Sequence, residues 1–303
     1  MLDSWKDGQA LDIHDELTRL TMAIIAKCLF NEDVGSEAED ISMALSDIIE
    51  YFNRLSSPFA WLLEKLPSNR KYESAVRRVD EMVYGMIRDR KKNHRDYGDL
   101  LSMLLEARDT SGAAMSDRQV RDEALILFAA EHETTANALT WTWYLVSQNP
   151  KVEKKLHDEV DSILYDGRKP SMEDVLKLDY TTKVFTESMR LYPPAWILTR
   201  QATKDVTVGE YRVPKGSDVL MSQYILYHDP RYFPEPEKFD PDRWTKEMKA
   251  KLPKFAYFPF GGGLRSCVGE PFAWTEGVLI IARTASKWKL ELNQIRKWRC
   301  FRG

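Results

Sequence analysis

The chain has 303 residues, of which 43% are hydrophobic and 30% are charged, and its formal net charge is −3. This composition supports a folded core, excludes a disordered chain and gives no basis for nucleic-acid binding. Three cysteines in a chain of this length argue against a disulfide framework and fit a reducing compartment.

The sequence contains neither a membrane span nor a signal peptide. No stretch approaches the ~18 consecutive apolar residues that a spanning helix needs. The first residues also lack the basic and apolar regions of a secretory signal. We therefore expect a cytoplasmic protein.

Helical periodicity dominates the chain. Apolar residues recur at helical spacing in two segments, with Leu17, Leu20, Ile24 and Cys28 in the first and Val152, Leu156 and Val160 in the second. This pattern predicts two amphipathic helices. Cys28 lies in an apolar run, which favours a core position.

A long helix is predicted between Ser116 and Pro150. Ser116 and Gln119 form a capping-box pattern, and no helix-breaking residue follows before Pro150. The helix would have about 30 residues and a length of roughly 45 Å. Such a helix without heptads is suited to a central position, with a cofactor lying across it.

Residues 130–135 of this helix read Ala-Glu-His-Glu-Thr-Thr. An acid followed by a hydroxyl residue could relay protons where a helix opens locally, because threonine both donates and accepts hydrogen bonds. The alternative is that Glu133 and Thr134 are ordinary surface residues. His132 and His228 lie in different segments with no third partner at zinc spacing, so the pattern does not favour a metal site through either.

Glu187 and Arg190 come next, in a helix expected to end near Pro193. At positions i and i+3 they share one face and can pair, although the same pattern is typical of a solvated ion pair. From residue 205 to residue 223, β-branched residues alternate around turn residues, which predicts strands. The fold class expected is mainly α with a small β sheet.

A lone cysteine lies in a glycine-rich loop within residues 258–272, FPFGGGLRSCVGEPF. The spacing is Phe260-x-x-Gly263-x-Arg265-x-Cys267-x-Gly269. Glycines allow close backbone approach, and an arginine can pair with a carboxylate of a cofactor. A single cysteine thiolate can serve as the axial ligand of heme. The alternative is a small buried cysteine in a glycine turn.

This loop resembles the heme-binding loop of the cytochrome P-450 superfamily, whose pattern F-x-x-G-x-R-x-C-x-G it matches at every fixed position. Residues 130–135 are similar to the family's A-G-x-E-T-T pattern. The E-x-x-R pair and the segment Pro236-x-x-Phe239-x-Pro241-x-Arg243-Trp244 follow in the family's order. The resemblance covers about residues 11 to 290. It implies a cytochrome P-450-like fold and a single partial heme-thiolate monooxygenase domain over residues 1–303.

The resemblance also implies roles for individual residues, with heme b (iron protoporphyrin IX) as cofactor and Cys267 as the iron ligand. The other cofactor-binding residues implied are Arg265, Phe260, Gly263, Gly269, Arg200 and Ala130. Glu133 and Thr134 are implied to supply protons during dioxygen activation. A buried structural network is implied for Glu187, Arg190 and Arg243.

The activity that the resemblance implies is insertion of oxygen from dioxygen into a C–H bond of a small hydrophobic substrate. A ferredoxin or a flavoprotein reductase would supply the electrons. The sequence departs from the family in two ways that bear on this expected activity. Glu131 replaces the family's glycine, so its side chain either turns away or occupies the oxygen side. The N-terminal helices and the C-terminal hairpin of the family are expected to be missing, so a truncated, non-catalytic heme-binding remnant is the alternative.

Overall fold

A computed structural model describes residues 1–31, 44, 48, 68–93 and 96–292, with the backbone alone for residues 68–71. The chain divides into two compact units. The smaller unit is Asp15–Glu133, and the larger unit is Met1–His14 with Thr134–Gly303.

The described helices and strands confirm the expected mixture of many helices and little sheet. The helices are α1 (Ile13–Phe30), α2 (Ser68–Asn93), α3 (Leu100–Glu106), α4 (Asp117–Gln148), α5 (Pro150–Ile163), α6 (Met172–Val175), α7 (Asp179–Leu191), α8 (Gln223–Tyr227), α9 (Lys246–Lys251) and α10 (Glu270–Ala285). The strands are β1 (Ile197–Gln201), β2 (Val206–Val208), β3 (Tyr211–Val213) and β4 (Asp218–Ser222). Short 3-10 turns lie at Leu2–Ser4, Pro241–Arg243 and Gly263–Arg265. None of the described helices is both long enough and apolar enough to cross a membrane.

The smaller unit is a helical cluster with one apolar core. Most of its buried residues come from α1, α2 and the first half of α4, and Ala44 and Leu101 of α3 complete the core. Phe30 stacks on Phe128 with ring centroids 6.2 Å apart. The guanidinium of Arg90 donates to the carbonyl oxygen of Phe30 at 2.7 Å and pairs with buried Asp99. The carboxylate of Asp99 also caps α3 by accepting from Ser102 N at 2.8 Å. Arg90 therefore ties α2 to the end of α1 and to the start of α3.

The prediction for α1 was right about the helix and wrong about Cys28. Leu20 and Ile24 are half-buried and Cys28 is exposed. The fully buried face runs through Ile25 and Leu29, about a quarter of a turn from the predicted stripe. Because α1 is apolar around much of its circumference, periodicity alone could not select the face that packs.

The capping box and the length of the long helix are confirmed. Ser116 Oγ accepts from Gln119 N at 3.3 Å, and Gln119 Oε1 accepts from Ser116 N at 2.9 Å. The 32 residues of α4 extend over about 48 Å. Pro150 is the first residue of α5, where its missing N–H costs no hydrogen bond.

The larger unit contains two antiparallel strand pairs, β1 with β4 and β2 with β3. Its helices α7 and α10 approach each other closely at Gly277. A Cβ at this position would lie 2.3 Å from Cε1 of the buried Phe185 ring, which only glycine avoids. Because α10 begins directly after the glycine-rich loop, this contact holds the end of that loop near α7.

Candidate functional site

The glycine-rich loop is closed on itself by backbone hydrogen bonds. Cys267 N donates to the carbonyl oxygen of Phe260 at 2.9 Å, and Ser266 N donates to that of Gly263 at 3.2 Å. Gly261 and Gly263 have φ angles of 76° and 73°, which residues with side chains rarely adopt. The glycines thus allow the tight path that brings Phe260 and Cys267 together.

The thiol of Cys267 is free and exposed, which contradicts the alternative of a small buried cysteine. Its Sγ lies 3.7 Å from the position that a Cβ on Gly269 would take. The neighbouring side chains of Leu264 and Val268 are also strongly exposed. The loop therefore presents a thiol between apolar side chains.

Two arginines lie on and beside this loop. Arg265 is exposed on the loop itself, and Arg200 is exposed on β1, where Nη1 donates to the carbonyl oxygen of Thr199 at 2.9 Å. Leu198, on the same strand face as Arg200, lies 3.7 Å from an ideal Cβ at Gly261. Among the described carboxylates, none forms an ion pair with either arginine.

These features fit a heme held by Cys267. An exposed thiol supplies an axial ligand, and the two guanidinium groups suit the carboxylate groups of the macrocycle. A Cβ on Gly263 would meet nothing within 4 Å, so the loop leaves open space at that position. No cluster of three or more His, Cys, Asp or Glu side chains in the described ranges offers a conventional metal site.

The structure brings Glu187, Arg190 and Arg243 together in a buried network, as predicted. The carboxylate of Glu187 accepts two hydrogen bonds from Arg190, both at 2.9 Å, and one from Arg243 Nε at 2.8 Å. Glu187 and Arg190 are wholly inaccessible to solvent. The alternative of a solvated ion pair is therefore wrong.

Sequence reasoning missed two further donors to Glu187. Trp244 Nε1 donates to Oε2 at 2.9 Å, and the backbone N–H of Asp240 donates to Oε1 at 3.1 Å. Because Trp244 follows Arg243 directly in the chain, its place in the sequence could have indicated that it also contacts Glu187. Five donated hydrogen bonds thus converge on one buried carboxylate, which offsets the cost of its burial.

The predicted proton-relay residues lie on an uninterrupted stretch of α4. Ala130, Glu133 and Thr134 are exposed and share one face with Ile126, which is 61% exposed. His132 lies on the opposite face, where it is buried and its Nδ1 is 3.0 Å from the carbonyl oxygen of Phe128. Residues 130–135 are helical throughout, so the helix shows no local opening.

Glu131 lies on the flank of this helix, about 100° around the axis from Ala130. Both of its carboxylate oxygens are closed off from solvent. Partial burial of the thiol raises the pKa of Cys28, although the residue as a whole is exposed, and the negative charge of Glu131 raises it further. The carboxylate is thus buried and close enough to α1 to affect Cys28, which agrees with a side chain that turns away from the exposed face of α4.

Replacing Glu131 with glutamine is expected to lower the pKa of the Cys28 thiol. Glutamine keeps the size of the side chain and removes the charge that disfavours the thiolate. Alkylation of Cys28 by iodoacetamide, followed by mass spectrometry as a function of pH, should show its midpoint shifted to lower pH. Glu123→Gln, at an exposed position of the same helix, serves as the control. An unchanged midpoint in Glu131→Gln would contradict the orientation described above.

Comparisons with known proteins agree with the fold and the motifs. The cytochrome P450 family model matches residues 2–301. Cyclooctatin synthase of Streptomyces melanosporofaciens is 41% identical over 95% of this chain and 63% of its own length. Pentalenene oxygenase of Streptomyces avermitilis is 32% identical over 95% of this chain and 65% of its own length.

A solved structure also matches the fold of this chain. The crystal structure of the cytochrome P450DA heme domain has a TM-score of 0.84 and 30% sequence identity, covering 91% of this chain and 61% of that one. The chain thus spans a little under two thirds of the relatives that it matches. With the family pattern matched across nearly all its residues, the chain belongs to the cytochrome P450 family, whose cofactor is heme.

Proposed function

We propose that residues 1–303 form a single partial domain of a heme-thiolate monooxygenase. The observation that carries this proposal is the exposed Cys267 thiol, held in a closed glycine loop with Arg265 two residues away. When bound, the heme supplies the chemistry by which dioxygen is activated. Cys267 Sγ would bind the iron, and Arg265 and Arg200 would orient the macrocycle through its carboxylates.

Glu133 and Thr134 are proposed to move protons at the exposed face of α4. Their carboxylate and hydroxyl groups are both exposed there, one residue apart. Monooxygenation consumes protons, and a carboxylate next to a hydroxyl can pass them inward from solvent. Ala130 lies on the same face with a small side chain, which leaves room beside these groups.

The proposed substrate is a small, largely hydrocarbon molecule. Relatives are named cyclooctat-9-en-7-ol 5-monooxygenase, which is 39% identical to this chain, and pentalenene oxygenase, which is 32% identical. Both names denote unsaturated carbon skeletons with little or no polar functionality. One oxygen atom would enter a C–H bond and the other would leave as water. The two electrons required would come from a ferredoxin or a flavoprotein reductase.

Glu133→Gln is expected to lower product formation on the order of 10²-fold, because the amide cannot pass a proton. The heme-loaded chain would be supplied with NADPH, a ferredoxin with its reductase, and pentalenene or cyclooctat-9-en-7-ol. Products would be identified by mass spectrometry. Glu123→Gln, an exposed glutamate on the same helix, should leave the rate unchanged.

Two outcomes of this assay count against the proposal. Equal rates for wild type and Glu133→Gln would remove the proton role of Glu133. Heme binding without an oxygenated product from either probe would favour the alternative of a non-catalytic heme-binding protein.

A further inference from the structure

Two side chains of the short helix α8 form hydrogen bonds to the start of the glycine-rich loop that carries Cys267, called the cysteine loop below. Tyr227 Oη accepts a hydrogen bond from the backbone N–H of Phe258 at 2.7 Å. Gln223 Nε2 donates to the carbonyl oxygen of the same residue, also at 2.7 Å. Both side chains are wholly buried. Phe258, two residues before Phe260, therefore has both backbone polar atoms held by α8.

These contacts continue into the loop that carries the thiol. The carbonyl oxygen of Phe258 also accepts from Gly261 N at 2.9 Å, which forms the first turn of the loop. Phe260, inside that turn, accepts from Cys267 N at 2.9 Å. A change in the position of Phe258 would consequently displace the backbone that holds Cys267.

Tyr227 also connects this region to the buried network around Glu187. Its carbonyl oxygen accepts from Arg190 Nη1 at 2.8 Å, while its hydroxyl contacts Phe258. The same residue thus binds the ion-pair network through its backbone and the cysteine loop through its side chain. Burial raises the pKa of the Tyr227 phenol, so the group stays neutral.

We propose that Tyr227 and Gln223 are positioning residues for Cys267. By fixing Phe258, they set the path of the loop and hence the direction of the Cys267 Sγ. The part of this inference that concerns iron ligation rests on the proposed function, whereas the part that concerns the loop backbone does not.

Tyr257 offers a matched control for a purely structural role. Its ring centroid lies 5.0 Å from that of Tyr227, and its hydroxyl donates to the carbonyl oxygen of Thr186 at 3.0 Å. Thr186 belongs to α7 and not to the cysteine loop. Tyr257→Phe therefore removes a comparable hydrogen bond from the same aromatic cluster without releasing Phe258.

The first test is amide hydrogen exchange of the full chain, read from peptides that cover residues 258–267. Tyr227→Phe should raise exchange there by about 10-fold, because the Phe258 N–H loses its partner. Gln223→Met should raise it less, because the Phe258 carbonyl keeps Gly261 N. Tyr257→Phe should leave it within about 2-fold of wild type. The proposal would be overturned if Tyr227→Phe and Tyr257→Phe raised amide exchange equally, or if neither Tyr227→Phe nor Gln223→Met raised it.

The second test uses the heme-loaded chain, reduced and exposed to carbon monoxide. In Tyr227→Phe and Gln223→Met, a larger share of the heme should lack the red-shifted Soret band of thiolate ligation than in Tyr257→Phe. Equal shares in all three variants would contradict the positioning role. If the wild-type chain shows no such band, the proposed function fails, while the exchange experiment still decides whether α8 fixes the loop.

Discussion

Glu187→Gln is expected to lower the free energy of unfolding by about 3–5 kcal/mol, the usual cost of removing one partner from a buried ion pair. The carboxylate of Glu187 compensates the wholly buried guanidinium of Arg190 and the largely buried one of Arg243. Glutamine has nearly the same size but no charge, so both cations would lose their counter-ion. Its NH₂ group would also face donors that need an acceptor. Urea unfolding followed by circular dichroism measures the loss.

Glu247→Gln provides the matched control for this prediction. Glu247 is exposed on α9 in the same unit, so the identical chemical change should alter the free energy of unfolding by no more than about 0.5 kcal/mol. Similar losses for the two variants would show that the Glu187 network contributes no more than a surface glutamate.

Cys267→Ser is expected to weaken heme binding by more than about 100-fold while the fold is kept. Substitutions of groups that merely support a metal ligand already cost about 10- to 100-fold in affinity, so removal of the ligand should cost more. Because Cys267 is exposed, the exchange of sulfur for oxygen should change the free energy of unfolding by no more than about 0.5 kcal/mol. Titration with hemin, followed by absorbance, measures the affinity, and thermal unfolding of the apo chain measures the stability.

Cys28→Ser is the control for the cysteine prediction. Cys28 is exposed on α1, so this variant should bind hemin as the wild type does. Loss of binding in both variants would point to a general effect of removing a thiol. Undiminished affinity in Cys267→Ser would show that another group holds the iron.

Sequence patterns predicted the parts of the site that depend on neighbours along the chain. The capping box at Ser116, the spacing around Cys267 and the pairing of Glu187 with Arg190 each involve residues within one loop or one helix. Arg243 was placed in the same network only through the family resemblance, because 53 residues separate it from Arg190. Local geometry is therefore readable from spacing, while the long-range partner needed a known fold.

Other features left no pattern that could be read. The hydroxyl of Tyr227 contacts a backbone N–H, and any residue at position 258 other than proline would supply that group. The electrostatic effect of Glu131 on Cys28 depends on the two residues lying close together on different helices. The buried face of α1 likewise depends on what packs against it. In each case tertiary contacts decide the outcome, and their partners are far away in the sequence.

The visible spectrum of the wild-type chain, loaded with heme, reduced and saturated with carbon monoxide, tests iron ligation by Cys267 most directly. A strongly red-shifted Soret band that is absent from Cys267→Ser and retained in Cys28→Ser is the result we predict. An unshifted band in the wild type, or a red-shifted band that persists in Cys267→Ser, would contradict ligation of the heme iron by this thiolate.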